Sequence, residues 1–122
     1  MRSILLFPVI ASCALAGCES SPLPPPTDAA KGRDAMKLVL DTWKRGGGVE
    51  ELATASVTAR DPDWAAGAKL TAYEIAPEEG RAGLDLVLTV KLTLQRSDGK
   101  PQNKKVGYTV GVGATTVVLR NE

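Results

Sequence analysis

The chain has no histidine in its 122 residues, two cysteines, and five aromatic side chains: Phe7, Trp43, Trp64, Tyr73 and Tyr108. Without histidine it lacks the commonest general base and the commonest metal ligand, which excludes a Ser–His or Cys–His catalytic pair. Gly-x-Ser-x-Gly, His-Glu-x-x-His and paired Cys-x-x-Cys motifs are all missing, so no catalytic residue, metal ligand or cofactor is expected. Charge of one sign is lacking too. Fifteen basic side chains face 14 acidic ones, which gives no reason to expect a nucleic-acid partner. The length suits one domain.

The N-terminus is where the apolar residues run together. Arg2 is followed by a nearly unbroken apolar stretch from Ile4 to Ala16, the pattern of a secretory signal. As a helix, Ile4–Cys18 would reach only about 22 Å, short of the ~30 Å bilayer core. The stretch ends in Leu15-Ala16-Gly17-Cys18 and then Glu19-Ser20-Ser21, which resembles the bacterial lipobox. That resemblance implies a signal peptide at residues 1–17, cleavage between Gly17 and Cys18, and a diacylglyceryl group with an added acyl chain (palmitate) on Cys18. Ile10-Ala11-Ser12-Cys13 fits the pattern more loosely, but cleavage there would leave apolar Ala14–Gly17 at the new start. Cleavage at Cys18 discards Cys13 and Arg2 and leaves acids and bases equal in number. No disulfide is then available, so the domain relies on its core. Several acyl chains anchor durably where one is marginal. The expected location is the bacterial cell envelope, with the membrane held through the N-terminal lipid. Glu19 stands where an aspartate would signal inner-membrane retention in one sorting system, which favours the outer membrane.

Residues 18–27 carry four prolines (Pro22, Pro24, Pro25, Pro26). They read as a semi-rigid polyproline II tether, rising about 3.1 Å per residue. Residues 28–122 are the expected domain. Thr27 or Asp28 caps a helix with Met36, Val39, Leu40 and Trp43 on one face. Gly46-Gly47-Gly48 ends it; because these glycines follow a helix and lack Gly-Lys-Ser/Thr, they are not a phosphate loop. Val49–Ala55 is a short second helix and Asp61-Pro62-Asp63 a turn.

The period then changes from 3.6 to 2. Lys69–Ile75 is a strand, and Ala76–Gly83 its loop to the next. Leu84, Leu86, Leu88, Val90, Leu92 and Leu94 form one face of a long strand. A turn over Ser97–Pro101 leads to a strand with Val106, Tyr108 and Val110 on one face, and Thr115–Arg120 is the last strand. The predicted class is α+β: an N-terminal helix and a short second helix packed on a four-stranded antiparallel sheet, folding as a monomer.

The segments Trp43-Lys44-Arg45-Gly46, Asp63–Leu70, Tyr73-Glu74, Val90–Leu94 and Val106–Gly111 resemble those of a group of small bacterial lipoproteins. Together with the element order, they imply a cystatin-like fold of the nuclear-transport-factor-2-like branch. No activity comes with that resemblance, and the Gln-x-Val-x-Gly wedge of cystatin inhibitors is lacking. The functional expectation is a non-catalytic binding or structural module for an envelope protein or a ligand, with Asp63, Trp64 and Tyr73 as contact candidates. The alternative is a small enzyme with Asp63, Glu74 or Asp85 as a general base in a desolvated pocket.

Overall fold

Asp28 starts the first helix. Its carboxylate accepts the Lys31 N–H at 3.0 Å, capping α1 (Ala29–Lys44), which occupies one orphan donor of the first turn. At the other end Gly46 adopts φ +88°, and the N–H groups of Arg45, Gly46 and Gly47 return to carbonyls of the last turn, closing the helix as a glycine at that position allows. Met36, Val39, Leu40 and Trp43 are each at most 3% exposed. Gly32 lets the helix settle onto the sheet, since a Cβ there would lie 2.6 Å from Leu86 Cδ2. The structure is a computed structural model that describes residues 25–121. The signal peptide expected at residues 1–17, the lipidation position Cys18 and the tether to residue 24 lie outside the described residues.

A 3-10 helix (Val49–Ala55) follows and buries Leu52. Then come β1 (Val57–Arg60), a one-turn helix α2 (Pro62–Ala65), β2 (Lys69–Ala82), β3 (Asp85–Gln95), β4 (Pro101–Gly111) and β5 (Thr116–Arg120). The strands form one sheet in the order β1-β5-β4-β3-β2. In β3 the alternation holds as expected: Leu86, Leu88, Val90, Leu92 and Leu94 are buried against α1, and the residues between them face away. Leu86 pairs with Val110 and Leu88 with Tyr108, and Val110 pairs with Val118. The buried face therefore runs across three strands.

The α+β class holds, with three corrections. The sheet has five strands, and it is mixed: β1 lies parallel to β5, Val57 opposite Thr116 and Arg60 opposite Leu119. Four residues supply only two inward positions, Val57 and Ala59, too few to show a period. The segment Ala76–Gly83, expected as a loop, is mostly strand, because β2 resumes beyond an irregularity between Ile75 and Glu79. Pro77 breaks the ladder there, and the freed carbonyls are taken by a side chain from α1. The Arg33 guanidinium donates to the Ala76 and Pro77 carbonyls at 3.0 and 2.8 Å and to Glu79 at 2.6 Å. Leu84, expected on the inner face, is 45% exposed in the turn where Gly83 takes φ +63°.

Because β1 and β2 occupy opposite edges, the chain between them crosses the whole sheet. It passes under the end of α1 and is fastened there by two indoles. Trp43 Nε1 donates to the Ala68 carbonyl at 2.8 Å, and Trp64 Nε1 donates to the Gly47 carbonyl at 3.2 Å. The two rings stack with centroids 5.5 Å apart and planes 9° from parallel. Trp43→Ala is therefore expected to cost about 3–5 kcal/mol, and Trp64→Ala about 1–2 kcal/mol, since Trp64 is only half-buried and loses mainly the stack. Thermal melts of the two variants check the order. Equal losses would show that the indoles act as one buried unit.

Candidate functional site

The aspartates that flank Pro62 are brought into one polar cluster. Asp61 ends β1 and turns its carboxylate inward, its side chain only 3% exposed. It caps α2 by accepting the N–H groups of Asp63 and Trp64 at 2.8 and 3.3 Å. It also accepts the Tyr108 hydroxyl and Arg120 Nη1 at 3.0 Å. Asp63, two residues on, takes Lys104 Nζ on both oxygens at 3.0 and 2.9 Å and Arg120 Nη1 at 2.8 Å. Two carboxylates thus meet two cations and a phenol, and the cluster ties the crossover to β4 and β5.

The electrostatics follow from the packing. Burial works to raise the Asp63 pKa, but the hydrogen bonds and charges of Lys104 and Arg120 outweigh it and hold the carboxyl below its usual range. Burial, then the hydrogen bond to Asp61 and its charge, push the Tyr108 phenol far above its ordinary value. Burial disfavours the Arg120 cation, yet Asp63 and Asp61 more than restore it. Asp63, Tyr108 and Arg120 are thereby held in their neutral-pH states, and the donors and acceptors of the cluster are spent on one another. That is the arrangement of a latch. It is unsuited to a general base, which needs a carboxyl raised toward neutrality. Among the described residues no group of three or more Cys, Asp or Glu is placed to hold a metal ion.

The remaining candidates lie apart from this cluster. Trp64 belongs to the indole stack beside it. Tyr73 sits on β2 opposite Leu92 and donates its hydroxyl to Asp41 on α1 at 2.6 Å. Its pKa is pushed up to about 12, first by burial and then by the Asp41 hydrogen bond and charge. Asp63 and Tyr73 line separate depressions. Glu74 projects from the uncovered face of the sheet, in register with Lys91. Asp85 lies at the start of β3 beside Gly111. On that uncovered face Ala72, Glu74, Lys91, Thr93, Asn103 and Lys105 line a depression of about 480 Å³. A second hollow, of about 420 Å³, opens beside the end of α1.

Lys104, Arg120 and Tyr108 were not foreseen as partners of the aspartates. One signal was available. Continuing the alternation of Val106, Tyr108 and Val110 backwards puts Lys104 on the inner face, and continuing from Val118 puts Arg120 there. Two cations at inward positions require inward anions. The comparisons with known proteins add no further assignment. No family model, no curated protein and no solved structure matches the chain.

Two measurements test the latch. Asp61→Ala strands Tyr108 and part of Arg120 in the interior, so a loss of about 3–5 kcal/mol is expected in denaturant melts. The Asp63 pKa is depressed on folding. Its stabilisation is therefore complete above the unfolded aspartate value of about 3.9 and lost as the pH falls from there through the lower folded value. Asp63→Asn should lower stability at neutral pH and flatten the stability–pH curve below about pH 4, where the folded wild-type carboxyl begins to take up its proton.

Proposed function

We propose that the chain is a lipid-anchored protein of the bacterial cell envelope whose domain, residues 28–122, is a non-catalytic binding module. The observation that carries this reading is where the tether joins the fold. Thr27 is 6% exposed; its N–H donates to the Leu84 carbonyl at 2.8 Å, and its hydroxyl accepts the Val112 N–H at 3.3 Å. Arg81 adds a hydrogen bond to the Thr27 carbonyl at 2.6 Å. The polyproline segment thus leaves from the end of the sheet that holds the β2–β3 and β4–β5 turns. The far end, with the indole stack and the β3–β4 turn, is left for a partner. Among the described residues no helix is long and apolar enough to cross a membrane.

Helix α1 on a long antiparallel run of strands supports the cystatin-like, nuclear-transport-factor-2-like reading of the fold. In an enzyme of that shape the pocket would lie between helix and sheet, where Met36, Leu40, Leu88, Val90 and Tyr108 are packed. Of the acids considered as bases, Asp63 is committed to its ion pairs and Glu74 lies on the open face. These placements favour the binding module over the enzyme.

The anchor is tested by intact-mass analysis of the protein from its native membrane. Wild type should carry glycerolipid and acyl chains on an N-terminal Cys18. Cys18→Ser should accumulate as an unmodified precursor, and Cys13→Ser should behave as wild type. An unacylated mature N-terminus in the wild type would overturn the anchor. Fractionation of the two membranes then decides between outer and inner placement.

A further inference from the structure

The point where the tether joins the domain and the domain's exposed apolar surface lie together. Thr27 is fixed at the end of the sheet that holds the β2–β3 and β4–β5 turns. The start of β1 is there too, since the Ser56 carbonyl accepts the Thr116 N–H at 2.8 Å. The segments that make up this end, Ala53–Ser56, Gly83-Leu84 and Val112–Thr115, carry no charged side chain. Asp28 and Arg81 at its margin are spent, on the α1 cap and on the Thr27 carbonyl. At the opposite end the β3–β4 turn alone holds Arg96, Asp98 and Lys100.

Leu84 is 45% exposed at the tether end. It is the second residue of a two-residue turn, with Ala82 paired to Asp85. Gly83, at φ +63°, meets that turn's conformational demand, and nothing in the turn requires a leucine. The apolar surface continues from this tip onto the uncovered face of the sheet. Val87 pairs with Thr109 and Thr109 with Leu119, while Gly111 beside them pairs with Val117. Leu119 is 39% exposed, and the two valines are half-buried. The charges beside them are Asp85, half-buried, and Arg60, which is exposed, in register with Leu119, and in no ion pair among the described residues. Further along the same face, Glu74, Lys91 and Lys105 form one row across three strands. The face thus grades from apolar near the tether to charged away from it.

We propose that this corner of the domain, Leu84 with Val87, Val117 and Leu119, seats on the surface of the bilayer that holds the anchor. The leucines enter the boundary between headgroups and acyl chains, and Arg60 meets lipid phosphate. The choice of occupant rests on the anchored reading above. Read as polyproline II, the residues from Cys18 to Thr27 span at most about 28 Å. Because the Thr27 N–H is bonded to the Leu84 carbonyl at 2.8 Å, this corner is the part of the domain held nearest the lipid. Tethering makes the contact intramolecular and raises its effective concentration. A few apolar side chains, too few to hold an untethered protein on a membrane, then suffice. The opposite end, with its charged turn, faces away from the bilayer. A second copy of the chain could cover the same corner, but only the bilayer is brought to it by the tether.

The test uses the full chain reconstituted into vesicles of phosphatidylethanolamine and phosphatidylglycerol, with and without a lipid that carries a nitroxide high in its acyl chain. A fluorophore is attached through Thr115→Cys at the tether end or through Ser97→Cys in the β3–β4 turn. The label at 115 should lose most of its emission to the nitroxide, and the label at 97 little. Adding Leu84→Asp/Leu119→Asp should restore the emission at 115 although the tether is unchanged. Leu84→Asp by itself, in an exposed turn, should restore it in part. Melting curves check that the variants are folded. A label at 115 that is not quenched, or that stays quenched in the folded Leu84→Asp and Leu84→Asp/Leu119→Asp chains, would overturn the proposal. So would crosslinking of Thr115→Cys between two chains in place of quenching, the mark of a second copy. Intact mass of the same sample keeps the anchor separate: an acylated chain without quenching at 115 leaves the anchor standing and sinks the contact. Quenching at 115 in a Cys13→Ser/Cys18→Ser chain, which carries no lipid, upholds the contact even where the anchor fails.

Discussion

The fold depends on one buried carboxylate. Asp61 stands where the chain leaves the sheet at β1 to travel to the opposite edge, and it accepts from two backbone N–H groups, a phenol and a guanidinium. Burying a charge costs several kcal/mol unless its partners replace the lost water, and here four donors do so. The carboxylate sets the direction of α2, which presents Asp63 to Lys104 and Arg120 and Trp64 to the indole of Trp43. The crossover, the end of α1 and the last strand are thereby registered against one another. In a domain with no disulfide among its described residues, this polar knot adds geometric definition that the leucine face of β3 alone does not supply, since apolar contacts are non-directional.

How much of this was legible in the sequence depends on the range of the interactions. Local signals were sufficient for α1, because Asp28, the Met36–Trp43 face and Gly46 act within a few residues of one another. The alternation of β3 and the Ser97–Pro101 turn were legible for the same reason. β1 was not, since its only regular partner is β5, some sixty residues later, and a four-residue strand has no period of its own. The second half of β2 was hidden by Pro77, which reads as a breaker until Arg33 is seen to take up its neighbours' carbonyls. At the site, the caps formed by Asp61 were visible as turn chemistry. The cations that neutralise the pair came from β4 and β5, and only their inward register revealed them.

The division of labour between the two faces of the sheet follows from composition. The inner face has spent the aromatic side chains of the described residues on the core, the indole stack and hydrogen bonds to Asp41 and Asp61. The outer face carries threonine, asparagine, lysine and glutamate, joined by bonds such as that from Thr93 Oγ1 to Asn103 Oδ1 at 3.1 Å, and at the β3–β4–β5 end Val87, Val117 and the 39%-exposed Leu119. Of these charges, Glu74 lies on the edge strand β2, where a charged side chain discourages edge-to-edge pairing.

The strand order has a consequence for how the molecule is made. β5 is the last strand in the chain, yet it occupies an interior place, between β1 and β4. Until Thr116–Arg120 is available, β1 has no strand beside it, and Arg120 cannot reach the aspartates. Pairing of β1 with β5 is therefore a non-local step that waits on residues some sixty positions further along, whereas α1 and the consecutive β2–β3–β4 meander have their partners close in sequence.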